Sequence, residues 1–135
     1  MKAMIFAAGL GTRLRPLTDS MPKALVPVAG KPMLEHVVTR LVNAGFDDIV
    51  VNIHHFGEQI IDFLQSHDFN AKITISDERD LLLDTGGGVT KACEFLGFDQ
   101  PVLLHNADIF TNVDLRALYA SHIANGSDAT LLVEE

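Results

Sequence analysis

The sequence has one cysteine, Cys93, and no tryptophan. A lone cysteine excludes an internal disulfide framework and suits a reducing compartment, so the expectation is a cytoplasmic protein. No apolar run approaches the roughly 20 residues that span a bilayer. The opening Met1–Phe6 is too short in its apolar stretch for a secretory leader and lacks a cleavage site. Positive charge is also scarce. A formal net charge of -8 over 135 residues argues against general binding to nucleic acid or to an anionic membrane.

What is present suits a single domain with one core: hydrophobic residues make up 47% and charged residues 21%. The charge is unevenly placed. Lys2, Arg13, Arg15, Lys23 and Lys31 face only Asp19 and Glu35 in the first 35 residues, and the rest of the chain is strongly acidic. A small basic island on an acidic chain points to a local anionic ligand.

Apolar periodicity predicts alternating elements. Lys2–Ala7 reads as a strand. Pro32 fits the first turn of a helix whose apolar face is Leu34, Val37, Val38, Leu41 and Val42, with Gly45 as its stop. Ile49–Ile53 reads as a buried strand interrupted only by Asn52, and residues 57–66 as a helix with Ile60, Ile61 and Leu64 inward. Lys72–Ser76 and Val102–His105 read as strands, Leu115–Ala124 as a helix and Ala129–Val133 as a final strand. Thr85 is expected to cap a helix through Gly86-Gly87-Gly88 to about Phe95. The alternation predicts an α/β fold of Rossmann-like type, three layers with a mostly parallel sheet and right-handed crossovers. Ligands in such sheets bind beyond the carboxyl ends of strands, so residues 8–23, 84–88 and 106–108 should converge on one crevice.

The stretch Gly9-Leu10-Gly11-Thr12-Arg13-Leu14-Arg15-Pro16-Leu17-Thr18 follows the first strand. Leu14 at the third glycine position excludes a dinucleotide fingerprint, and the lack of Gly-Lys-Ser/Thr excludes a Walker A loop. Glycines after a strand still let a backbone approach a ligand closely, with successive N–H groups lining an anion site. Arg13 adds a planar fork of donors, and Pro22-Lys23 returns an ammonium on a constrained backbone. Other groups carry less. Adjacent side chains diverge at His54-His55, and no third ligand accompanies them; His36 and Cys93 fit helix faces, and Met4, Phe6, Phe63 and Phe69 fit a core.

These motifs resemble the sugar-1-phosphate nucleotidyltransferases, with a lean towards the N-acetylmuramate 1-phosphate uridylyltransferases and mannose-1-phosphate guanylyltransferase-like enzymes. The likeness runs through Lys2–Gly9, Gly11–Thr18, Pro22–Val28 and Gly30–Met33, then Leu83–Gly88 and Asn106-Ala107-Asp108. It implies the fold of the nucleotide-diphospho-sugar transferases. It also implies transfer of a nucleotidyl group from a nucleoside triphosphate, UTP or GTP, to a sugar 1-phosphate. In that family's terms Arg13 and Lys23 would be catalytic. Ala8, Gly9, Gly11, Thr12, Arg13, Lys23, Asp84, Gly86 and Gly87 would bind the nucleotide. Asn106 would meet the sugar substrate and Asp108 would ligate Mg²⁺.

The family usually has glycine where this chain has Ala107, so a methyl crowding the substrate or shifting the backbone is an expectation. The family's catalytic domains also run longer. Residues 1–135 are therefore expected to be the N-terminal, nucleotide-binding part of a domain truncated at its C-terminus. A second metal carboxylate and most of the sugar pocket would then lie outside it. The same expectation includes weak turnover, and apolar edges through which a homo-oligomer could form. Two other readings stand beside it: a non-catalytic nucleotide-sensing or scaffold module of the same fold, and a phosphocholine cytidylyltransferase.

Overall fold

A computed structural model describes residues 1–133 of the chain. Four parallel strands form the central sheet in the order β5-β4-β1-β6: β1 Lys2–Phe6, β4 Asp48–Ile53, β5 Lys72–Asp77 and β6 Val102–Asn106. Helix α1 (Met33–Asn43) links β1 to β4, α2 (Gly57–Ser66) links β4 to β5, α3 (Asp84–Leu96) links β5 to β6, and α4 (Leu115–Asn125) follows β6. The first two crossovers step in one direction from β1 and the third steps back past it. Right-handed connections then put α3 on the opposite face of the sheet from α1 and α2.

Strand alternation builds two cores from this arrangement. Ala3 and Ile5 of β1, with Ile49, Val51 and Ile53 of β4, face Leu34, Val38 and Leu41 of α1 and Ile60 of α2. Burying each of those large aliphatic side chains contributes about 1.5–3 kcal/mol. Met4 and Val50 face the other way, towards Ala92 and Leu96 of α3. The sheet order and registers place β1 at the centre, paired through Ile5 with Val51 on one side and His105 on the other.

Four expectations are corrected in detail. The segment Gly9–Val28, expected as a long ordered loop, folds into short 3-10 turns at Thr12–Leu14, Leu17–Asp19 and Lys23–Leu25. A two-stranded ribbon, β2 (Pro27–Val28) with β3 (Lys31–Pro32), follows. Pro32 stands just outside α1 as its N-cap. Thr85 does not cap α3; the helix begins at Asp84 behind Leu83, with no side-chain cap. Residues 129–133 form no strand, and Leu131 and Val133 are 84% and 76% exposed. Short apolar runs favour extended backbone, but a strand exists only when its N–H and C=O groups meet a neighbour, and this segment pairs with none of the described strands. Apolar groups are indeed exposed along the β6 side, Leu104, Ile109 and Phe110 among them. Among the described residues, no helix is long and apolar enough to cross a membrane.

Candidate functional site

A crevice of about 340 Å³ opens at the carboxyl end of β1. Its walls come from three separate stretches. Ala8, Gly9, Arg13 and Lys23 form one lip, Leu82, Asp84 and Thr85 the other, and Asn106, Ala107 and Asp108 the end wall. The three segments picked out along the sequence thus meet where the sheet reverses its winding, as parallel sheets predispose. Gly11, Thr12, Gly86 and Gly87, also singled out in the sequence, do not line it.

The first lip is shaped by Gly11, which sits at φ +64, a conformation L side chains rarely adopt. Space excludes a side chain there as well. A Cβ on Gly11 would lie 2.9 Å from Thr18 Cγ2 and 3.0 Å from Lys23 Cβ. Buried Thr18 donates from Oγ1 to Gly11 O at 2.7 Å, folding the loop back on itself. Ala24 is buried in the larger core beside α1, which fixes the backbone from which Lys23 reaches out. Arg13 lines the crevice, and its side chain meets no hydrogen-bond or ion-pair partner among the described residues. No Cβ contact lies within 4 Å at Gly9, so this part of the loop leaves room for a ligand. The N–H groups of Gly9, Leu10 and Gly11 meet no acceptor among the described residues. Those of Ala7 and Ala8 are already spent, on Asn52 Oδ1 at 2.8 and 3.3 Å.

Across the mouth, Lys23 Nζ forms an ion pair with Asp108 Oδ2. The lysine side chain is 24% exposed and the aspartate 35%, so both reach water and both can change partner. Asp108 follows β6 by two residues, and the strand pairing that continues as Ala107 N–H to Phe6 O at 3.1 Å sets its position. Ala107 is buried and packs in the larger core, so the methyl that replaces the family's glycine is accommodated by the protein interior. His105 lies one strand residue deeper. Burial pushes its imidazole below the ordinary histidine range, against the hydrogen bond that Nδ1–H donates to Asn106 O at 2.7 Å; nearby Arg40 lowers it further and Asp108 raises it.

The second lip rests on groups that sequence reasoning passed over. Asn52, noted only as a break in an apolar strand, is 2% exposed, and Glu78 is 1% exposed. Asn52 Nδ2 donates to Glu78 Oε1 at 2.9 Å, and Leu83 N–H donates to Glu78 Oε2 at 3.2 Å. Gly88 packs directly on this pair: a Cβ there would meet Glu78 Oε1 at 2.9 Å and Asn52 Nδ2 at 3.1 Å. A polar residue inside a buried strand was the available signal, because such a group demands a partner. Asp84 starts α3 at φ +54, tolerable for aspartate, with its carboxylate exposed. Its charge is favourable in the first turn of a helix.

His54, His55 and His36 are taken up by contacts outside the crevice. His54 Nδ1 lies 2.7 Å from Glu78 O, the His55 ring leans on Phe56, and His36 Nε2 lies 2.7 Å from Val28 O of the ribbon. Among the described residues no three His, Cys, Asp or Glu side chains gather as a metal cage.

Residues 2–135 match the family model described as Nucleotidyl transferase. The chain is 47% identical over 109 residues to N-acetylmuramate alpha-1-phosphate uridylyltransferase of Caulobacter vibrioides, covering 78% of this chain and 45% of that protein. It is 45% identical over 120 residues to the enzyme of the same name from Neisseria meningitidis serogroup B, covering 88% of this chain and 52% of the relative. The chain thus spans about half the length of these curated relatives. Among solved structures, HddC from Yersinia pseudotuberculosis complexed with GMP-PN superposes with a TM-score of 0.80 at 28% identity, covering 90% of this chain and 54% of that one. With the fold, the crevice and the matched sequence in agreement, this chain belongs to the nucleotidyl transferase family.

Proposed function

We propose that residues 1–135 are the nucleotide-binding half of an enzyme that transfers a nucleotidyl group from UTP or GTP to a sugar 1-phosphate. The observation that carries this reading is the meeting of Lys23, Asp108 and Arg13 at one crevice mouth, beside a loop with unspent N–H groups. In the reaction a phosphate oxygen of the sugar 1-phosphate attacks the α-phosphorus. The bond from the α-phosphorus to the bridging oxygen breaks, and pyrophosphate leaves with the electron pair. The nucleophile is already an anion, so no side-chain base is needed. The protein's work is to hold two anions together and to stabilise charge on the leaving group.

The Gly9–Gly11 amides and the Arg13 guanidinium are suited to the β and γ phosphates, where the leaving charge develops. Lys23, freed from Asp108, would sit between the α-phosphate and the incoming sugar phosphate. Asp84 and Thr85 face the nucleobase in this reading, and Asn106 the sugar. Asp108 fits a magnesium ligand because its carboxylate opens on the same space as Lys23, and Mg²⁺ is held by one or two carboxylates with phosphate oxygens and water. Bound there, Mg²⁺ would neutralise phosphate charge and order the triphosphate. Asp108 gives up its ammonium partner as the triphosphate takes Lys23. The uridylyltransferase relatives support UTP as the first nucleotide to try. A cytoplasmic setting, with Mg²⁺ and nucleoside triphosphates at hand, belongs to the same proposal.

The test is calorimetric titration of residues 1–135 with UTP, GTP, CTP and ATP in the presence of Mg²⁺, with a panel of sugar 1-phosphates assayed for pyrophosphate release. UTP or GTP should bind, and Arg13→Ala should weaken triphosphate binding about tenfold while affecting the nucleoside monophosphate less. No binding by any of the four triphosphates, or equal loss for mono- and triphosphate, would sink the reading.

A further inference from the structure

We propose that Asn52 and Glu78 act as a positioning pair that couples the two lips of the crevice and holds its negative charge away from the phosphate lip. The proposal rests on the nucleotide-binding reading above. Asn52 stands on β4 at the level of the last residue of β1, Phe6, and directly beneath the turn into the glycine loop. Its Oδ1 accepts from Ala7 and Ala8, the two N–H groups that launch the loop. Its Nδ2 donates to Glu78, whose second oxygen accepts from Leu83, the residue behind the first turn of α3. One continuous chain of hydrogen bonds therefore runs from the phosphate lip to the base lip, below the space a nucleotide would fill.

The direction of these bonds matters as much as their existence. Main-chain N–H groups stand at both ends of the chain, so both ends need an acceptor. Two acceptors joined back to back require one donor between them. An amide and a carboxylate meet that requirement in either order. An aspartate at position 52 with a glutamine at position 78 would satisfy every partner as well: the aspartate would accept from Ala7, Ala8 and the glutamine amide, and the glutamine oxygen would accept from Leu83. The chain has the neutral amide under the phosphate lip and the carboxylate under the base lip. A buried carboxylate directly beneath Ala7 and Ala8 would repel the phosphates through a medium of low effective dielectric. The order found here avoids that repulsion and keeps the same geometry.

This separates a positioning role from a packing role, and the swap is the experiment. Asn52→Asp sets two carboxylates face to face, and Glu78→Gln forces a donor against Asn52 or Leu83. Each single variant should melt several degrees lower than the parent chain and bind Mg·UTP at least about tenfold more weakly. The double variant Asn52→Asp/Glu78→Gln should recover most of the melting temperature. Its affinity should not recover, and the loss should grow along the series UMP, UDP, UTP, from within about threefold for UMP to about tenfold or more for UTP. If GTP is the nucleotide that binds, the guanosine series replaces it.

Wild-type affinity for the whole series in the double variant would overturn the proposal, since charge placement would then be immaterial. A uniform loss along the series would overturn it too, because it would mark a general distortion. Should the parent chain bind no nucleotide, the functional reading fails first. The pair is then judged by stability alone, and a double variant no more stable than its single variants would refute the coupling.

Discussion

The two lips of the crevice are held by different physics. The phosphate lip is a backbone device: a left-handed glycine, three 3-10 turns and one threonine hydroxyl shape it, and its cations project into water. The base lip is anchored from beneath by a buried amide and carboxylate, with Gly88 packed on them without a side chain. They also lie on opposite faces of the sheet. Ala24 of the phosphate lip belongs to the large core under α1 and α2, whereas α3 shares a core of only four buried residues with β1 and β4. The lesson is that function and stability are separable on the first lip and entangled on the second. Charges on the first can be removed with little structural cost. Small changes beneath the second disturb buried polar groups, whose unmade hydrogen bonds cost about 1–3 kcal/mol each.

The largest effect should come from the first lip and should be purely functional. Lys23→Ala removes a partly exposed ammonium whose ion pair with Asp108 contributes little stability in water. The melting temperature should stay within a few degrees of the parent. Turnover of the full-length enzyme, read as pyrophosphate release with Mg²⁺, nucleotide and sugar 1-phosphate, should fall at least about a hundredfold, because the ammonium acts where two phosphates must approach. Nucleotide affinity should change much less. Equal losses of turnover and affinity would instead make Lys23 a ground-state binding group, and the contrast between the lips would lose its functional half.

The second lip is probed by two glycines two residues apart in α3. Replacing an unconstrained helical glycine with alanine stabilises by up to about 1 kcal/mol. Gly86 has nothing within 4 Å of an added Cβ, so Gly86→Ala should raise the melting temperature by a few degrees. Gly88→Ala should lower it, because its methyl would press on Glu78 Oε1 and Asn52 Nδ2 and break a buried pair. The net loss should be about 1–3 kcal/mol after the helical gain is subtracted. Thermal melts of the two variants, run side by side, decide the matter. Shifts of the same sign would show that the pair can move aside and that the second lip is no more constrained than the first.

How far the sequence foretold this molecule follows the same division. Period and punctuation located every element of the sheet and its helices except the ribbon at Pro27–Pro32, too short to leave a periodic trace. The mistaken strand at 129–133 had the right composition, but strand formation depends on a partner that no local pattern can register. On the phosphate lip, Gly11, Arg13 and Lys23 stood out because glycine conformation and local charge write themselves into a motif. Asn52 and Glu78 were not. They lie 26 residues apart and are joined only by folding, and each in isolation reads as a polar residue at a strand or turn. Thr85 was misjudged for a related reason. Capping propensity favours threonine, but the helix starts two residues earlier than a Thr85 cap implies, in a left-handed turn at Asp84.

The smallest effect concerns the end wall, where His105 lies on β6 opposite Ile5, close to Arg40 and Asp108. Its folded pKa is depressed, chiefly by burial, so the native state holds it neutral while an unfolded chain protonates it near the ordinary 6.5. Protons therefore bind the unfolded state first. The stability contributed by neutral His105 is fully present above pH 6.5 and is lost as pH falls from there through the depressed folded value. His105→Gln removes the titration while leaving a group able to donate to Asn106 O. Melting temperatures of the parent and the variant should converge as pH is lowered from 7.5 to 5.5, with the parent losing more. A gap that stays constant over that range would show that His105 does not carry the acid sensitivity.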